Sequence, residues 1–213
     1  MLDQGPSAST YATVLITMLK AIITKRLALL ALPIALLCAP FGARAETPAG
    51  ARDPRTLLAE QFHASARVTY VRVAPQGAER AAIERKLGVP LPRGEYTFYV
   101  ATTGPRVDGY ALFDDERGQH ELISFGTFFD AHGRITRVEV IAYREPYGDG
   151  IRAQRFRHQF VGRTAQSGFR PDDDIDAISG ATISSRAMCV GVKRASVLLD
   201  QMLLSGGSML AAK

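Results

Sequence analysis

Cysteine is scarce in this sequence. Only Cys38 and Cys189 occur among 213 residues, so one intrachain disulfide is the most the chain could form. The histidines (His63, His120, His132 and His158) are far apart, and without a cysteine pair they give no zinc spacing. No Gly-x-Ser-x-Gly elbow is present, so a hydrolase of that kind lacks its nucleophile. A nicotinamide-binding glycine pattern is missing as well. Charge of one sign is also lacking over most of the chain. Of the 26 basic and 21 acidic residues, four basic ones (Lys20, Lys25, Arg26, Arg44) and one acid (Asp3) precede Ala45, which leaves 22 against 20. Basic and aromatic residues are scattered rather than striped, which argues against nucleic-acid binding. What is present is 46% hydrophobic content, enough for one domain core with appendages.

The first 45 residues read as an export signal. Lys20, Lys25 and Arg26 supply a positive start, "LALLALPIALLCA" (27–39) an apolar stretch, and Ala43-Arg44-Ala45 a small-x-small cleavage site before Glu46. Translation from Met18 would already give a complete signal. The stretch is short for a membrane span and is broken by Pro33; the alternative is an uncleaved membrane anchor. Leu37 before Cys38 speaks against a lipid-attachment site. Cleavage would place the mature chain outside the cytoplasm and leave Cys189 alone, as a buried inert thiol in an apolar helix.

Residues 46–54 read as a linker. Leu58, Phe62 and Ala66 have helical spacing over 55–66, and "RVTYVRV" (67–73) alternates as a strand. Residues 77–88 predict a short charged helix ending in glycine. Four segments then follow: "EYTFYVATT", "VDGYALFDD", "ELISFGTFFD" and "RITRVEVIAY". Each is rich in aromatic or β-branched residues and each separator contains glycine, which predicts an antiparallel meander. Residues 149–160 and a long segment from about 183 to 204 read as helical. In the latter, Met188, Val192, Ala195, Leu199 and Met202 form one apolar face, with Arg186, Lys193 and Asp200 on a solvated one. Strands grouped first and helices last predict an α+β fold. The division is an N-terminal α/β extension (55–106), a main domain (107–204) and a flexible tail (205–213).

One short stretch carries the chemistry: "DIDAISGATISSRA" (174–187). Small residues Ser179, Gly180, Ala181 and Thr182 open onto the long helix. One reading is that Thr182, Ser184 or Ser185 simply caps that helix. The other is an anion site, because unpaired N–H groups and the helix dipole favour a phosphate there. Gly180 would let the backbone approach closely, and Ser179, Thr182, Ser184 and Ser185 could donate hydroxyl hydrogen bonds. The acids Asp172, Asp174 and Asp176 have the alternation of a calcium loop, yet Ala177 and Ile183 stand where it needs glycine and glutamate. They read instead as a solvated loop and charged docking rim.

Asp176-Ala177-Ile178-Ser179-Gly180-Ala181-Thr182 resembles the flavinylation motif of the FMN-binding domain family, which includes extracytoplasmic flavin subunits of membrane redox complexes. "FFDAHGRITRVEVIAYRE" (128–145) and "RFRHQFVGR" (155–163) resemble further family segments, so the likeness spans roughly 107–204. It implies covalent FMN, bound through a phosphoester to Thr182. It also implies a recognition motif for an FAD-dependent flavin transferase made of Asp176, Ser179, Gly180 and Ala181. Where the family often has Glu-Thr-Pro-Gly-x-Gly, this chain reads Glu145-Pro146-Tyr147-Gly148-Asp149-Gly150. Flavin contacts from Glu145 and Gly148 carry over, and those of the missing threonine do not. Tyr147 could stack on the ring or cover local core, and His158 is either near the flavin or a surface residue. The resemblance implies an electron-transfer flavoprotein of the periplasm with a membrane-associated redox partner. The alternative is a non-redox module that binds a phospho-ligand or flavin without a covalent bond.

Overall fold

The computed structural model describes residues 52–145 and 148–205. The stretch read as an export signal, most of that read as a linker, Pro146, Tyr147 and the end of the expected tail lie outside the described residues. Helix α1 is Pro54–Gln61, opened by Asp53, whose carboxylate accepts from the amides of Arg55 and Thr56. It ends sooner than its spacing suggested, and Leu57 rather than Leu58 is its buried residue. Strand β1 (Arg67–Val73) and helix α2 (Gly77–Leu87) follow, the latter closed by Gly88 in the left-handed region.

Strands β2 (Tyr96–Thr103), β3 (Arg106–Arg117), β4 (Leu122–Asp130) and β5 (Ile135–Ala142) complete an antiparallel sheet in the order β1-β2-β3-β4-β5. The meander read from the alternation is therefore present, and β1 joins the same sheet through the pairing Val71↔Phe98. The turn between β4 and β5 is fixed by Asp130, whose carboxylate accepts from the amides of His132 and Arg134 at 2.9 Å.

After β5 the chain makes a 3₁₀ turn (Asp149–Arg152), then the short helix α3 (Gln154–His158). Ala153, extended at ψ 134°, splits what the sequence suggested was one helix over 149–160. Helix α4 runs Thr182–Leu199 and continues as a π-helical turn through Leu204. The fold is α+β with the long helix after the Ser-Gly-Ala-Thr loop.

Two apolar layers hold the sheet. On one face Phe98, Leu112, Phe125, Phe129 and Val138 pack with Ile83 and Leu87 of α2 and with Met188, Val192, Ala195 and Leu199 of α4. On the other, Leu57 and Phe62 cover Ala101, Ala111 and Phe128. Cys189 is buried in the first layer, and burial pushes its thiol up to about 12, so it is un-ionised at neutral pH.

Helix α4 is also tied to the sheet by charge. Arg194, 1% exposed, donates from Nε to Asp114 at 2.8 Å, from one terminal nitrogen to Glu116 at 2.5 Å, and from the other to the Asp115 carbonyl at 3.1 Å. Arg93 adds a second cation 3.1 Å from Asp114. Burial raises the Asp114 carboxyl pKa while its guanidinium neighbours oppose the shift. Charges this deep persist because every partner is supplied.

Candidate functional site

The site begins where α4 begins. Its N-cap is Ala181, which contributes no side-chain cap bond. A serine or threonine there would stabilise the helix by about 1 kcal/mol, so the reading of Thr182, Ser184 or Ser185 as the cap does not hold. The first intrahelical bond runs from the Ser185 amide to the Ala181 carbonyl at 2.8 Å. The amides of Thr182, Ile183 and Ser184 therefore precede the hydrogen-bonded helix and remain unpaired among the described residues. Thr182 itself is exposed, and its hydroxyl has no partner among those residues. Gly180 immediately before it sits at φ 78°, with open space where a side chain would project.

The two serines after Thr182 turn inward. Ser184 is buried and its Oγ lies 2.9 Å from the Tyr143 hydroxyl. Ser185 is fully buried, and its Oγ accepts from the Ile178 amide at 3.2 Å, which folds the loop back over the helix start. Of the hydroxyls around the helix start, those of Thr182 and Ser179 belong to exposed residues.

A cleft of about 380 Å³ opens over this start, lined by Gln119, His120, Glu145, Gly180, Ala181, Thr182, Ile183 and Ser184. Glu145 forms its far wall. Its Oε1 accepts from the amides of His120 at 2.7 Å and Glu121 at 3.1 Å, bonds that hold its pKa below the ordinary carboxylate value. Glu145 thus clasps the β3–β4 turn and sets Gln119 and His120 beside the helix start. Exposed Ile183, on the same rim, adds apolar surface. Gly148, at φ 91°, packs against Tyr143, Ala181 and Ser184. A Cβ on it would lie 2.6 Å from the Tyr143 hydroxyl and 3.1 Å from the Ala181 Cβ, so no larger residue fits.

The structure therefore brings together Glu145, Gly148, Gly180, Ala181, Thr182 and Ser184. Asp176 and Ser179 instead line a neighbouring cleft of about 460 Å³ with Arg155 and Gln159. There the Asp176 backbone is held by Gln159, whose side-chain oxygen accepts from its amide at 2.8 Å. Tyr147 lies outside the described residues. His158 lines a different cleft, with Glu139 and Arg157. The acid run is internally paired: Arg170 reaches Asp173 at 2.5 Å and Asp174 at 3.3 Å, so much of that loop's charge is already neutralised. Gln119, His120 and Tyr143 had no local signal in the sequence. They arrive through a hairpin turn and a strand end that only the sheet register brings near Thr182.

Residues 118–197 match the model of the FMN-binding domain family. The matched region contains Glu145, Gly148 and the whole Ser-Gly-Ala-Thr loop. Among solved structures the chain is similar to the crystal structure of Shewanella oneidensis NqrC, with 14% identity and a TM-score of 0.43, over 72% of this chain and 88% of that one. No curated protein matches it.

The cleft fits the cofactor that the family name specifies. It lies in the size range of small-ligand sites. Its uncapped helix start leaves three amides for a phosphate, and Ile183 with the open space at Gly180 leaves room for an apolar ring system.

Proposed function

We propose that the protein is an exported flavoprotein that carries FMN through a phosphoester on Thr182 and relays electrons between extracytoplasmic or membrane partners. The observation that carries this reading is the exposed Thr182 hydroxyl, without a partner among the described residues, at an uncapped helix start and in a cleft within the region that matches the FMN-binding domain model. Attachment balances as a group transfer from FAD. Thr182 Oγ attacks the phosphorus of the FMN half, the pyrophosphate bond breaks, AMP leaves, and the hydroxyl proton passes to a base of the flavin transferase. Asp176, Ser179, Gly180 and Ala181 form the motif that transferase recognises, with Asp176, Ser179 and Gly180 exposed to it and Ala181 buried beneath the loop. The amides of Thr182, Ile183 and Ser184 would hold the attached phosphate. Glu145 keeps Gln119 and His120 in place as the cleft's opposite wall. The bound flavin supplies one- and two-electron chemistry, which the surrounding groups tune.

A covalent bond suits a compartment where a released flavin would be lost. The partners of this reading are an FAD-dependent flavin transferase and a membrane-associated redox protein, and the location is the periplasm or its equivalent. The test is to isolate the protein from its native host, denature it, and look for flavin fluorescence in the gel. Reduced protein is then reoxidised with membrane fractions. Persistent fluorescence and reoxidation support the relay. A protein that binds flavin or phosphate only reversibly, with no electron exchange, would be the non-redox module instead.

A further inference from the structure

We propose that Tyr143 is a positioning residue for flavin attachment: by holding Ser184 inside the fold, it sets the first turn of α4 so that Thr182 presents its hydroxyl outward. The inference rests on Thr182 being the attachment site. Tyr143 stands at the end of β5, immediately after Ala142, and is buried. Its hydroxyl meets Ser184 Oγ at 2.9 Å, in a pair buried on both sides. Gly148 comes close enough to that hydroxyl that a Cβ there would collide with it. Arg152, on the 3₁₀ turn, donates to the Tyr143 carbonyl at 3.2 Å and places its guanidinium 6.0 Å from the ring centre. A strand end, the loop at Gly148, a 3₁₀ turn and the start of α4 therefore meet at one tyrosine.

The geometry matters because serine in a helix's first turn has other options. A free Ser184 hydroxyl could rotate to bond nearby backbone groups, which competes with the helix. The bond to Tyr143 removes that freedom. Thr182 is two residues earlier on the same turn and has no side-chain tether among the described residues. Its direction is set by a turn pinned through Ser184 to Tyr143 and through Ser185 to the Ile178 amide. Burial raises the Tyr143 hydroxyl pKa, so it stays protonated and the bond persists across the physiological range.

The experiment follows covalent loading of the full chain by a flavin transferase with FAD, read by intact mass, for wild type, Tyr143→Phe, Ser184→Ala and the double variant. Each single change should slow loading about 10–100-fold, the scale at which small misplacement costs rate. The loss should appear in the loading kcat, with KM for the chain unchanged, because the recognition loop is untouched. The double variant should load no slower than the worse single. Amide exchange at Ser185 and Arg186, the first amides bonded within the helix, should quicken in all three. Wild-type loading rates in both single variants overturn the proposal, as do losses that simply add. Should Tyr143→Phe fail to fold, Ser184→Ala alone decides. Absence of loading in wild type would instead remove the attachment reading on which the proposal stands, a result distinct from any difference among the variants.

Discussion

At the scale of single residues, the site divides its hydroxyls between structure and chemistry. Ser184 and Ser185 are turned in and bonded, whereas Thr182 is exposed and its hydroxyl has no partner among the described residues. Thr182→Ala should therefore abolish covalent FMN, seen as loss of the flavin mass, with little change in stability. Ser179→Ala should only slow attachment. Glu145 gives a pH signature. Its pKa is depressed below 4.5, first of all by the His120 amide. The clasp it forms thus stabilises the fold above the ordinary carboxylate range and is lost as pH falls through the depressed value. The amide shifts of His120 and Glu121 should titrate together in an acid NMR series, with a midpoint below 4.5. Glu145→Gln should remove that titration.

At the scale of elements, the strands and α4 were readable because their patterns are local. Alternating aromatics between glycine turns specify a meander wherever they occur, and the spacing of Met188, Val192, Ala195 and Leu199 specifies which side of α4 is buried. The break at Ala153 was not readable, since it answers to packing of Ile151 and Phe156 into the core rather than to any proline or glycine. Burial of Arg194 was hidden for a similar reason. A charge on a helix reads as solvated until the sheet supplies Asp114 and Glu116 from far along the chain. The Thr182 motif was legible as a string, but the cleft walls at Gln119 and His120 and the buried Tyr143 that meets Ser184 were not. Arg194→Ala should destabilise the protein by about 3–5 kcal/mol in a urea titration, because it strands Asp114 without its closest cation. Replacing Arg194, Asp114 and Glu116 together with apolar residues of similar volume should restore most of that loss.

At the scale of the whole molecule, the proposed export and the proposed flavin site make one joint prediction. N-terminal sequencing of the flavin-bearing form from its native host should begin at or near Glu46; a full-length, flavin-bearing chain recovered from the soluble cytoplasm would contradict export. The ion cluster at Arg194 has a different kind of consequence. An apolar face tolerates small slips, since one hydrophobe is nearly as good as the next against a sheet. A buried guanidinium does not, because only one setting of the helix meets Asp114 and Glu116 together. Advancing α4 by one residue would move it ~1.5 Å along its axis and turn it ~100°. Thr182 stands ~18 Å down the same rod, so that turn would swing its hydroxyl away from the cleft altogether. Arg194 thus works like an index pin on a threaded shaft. A contact remote from the cleft fixes the angle at which the other end of the shaft offers the Thr182 hydroxyl.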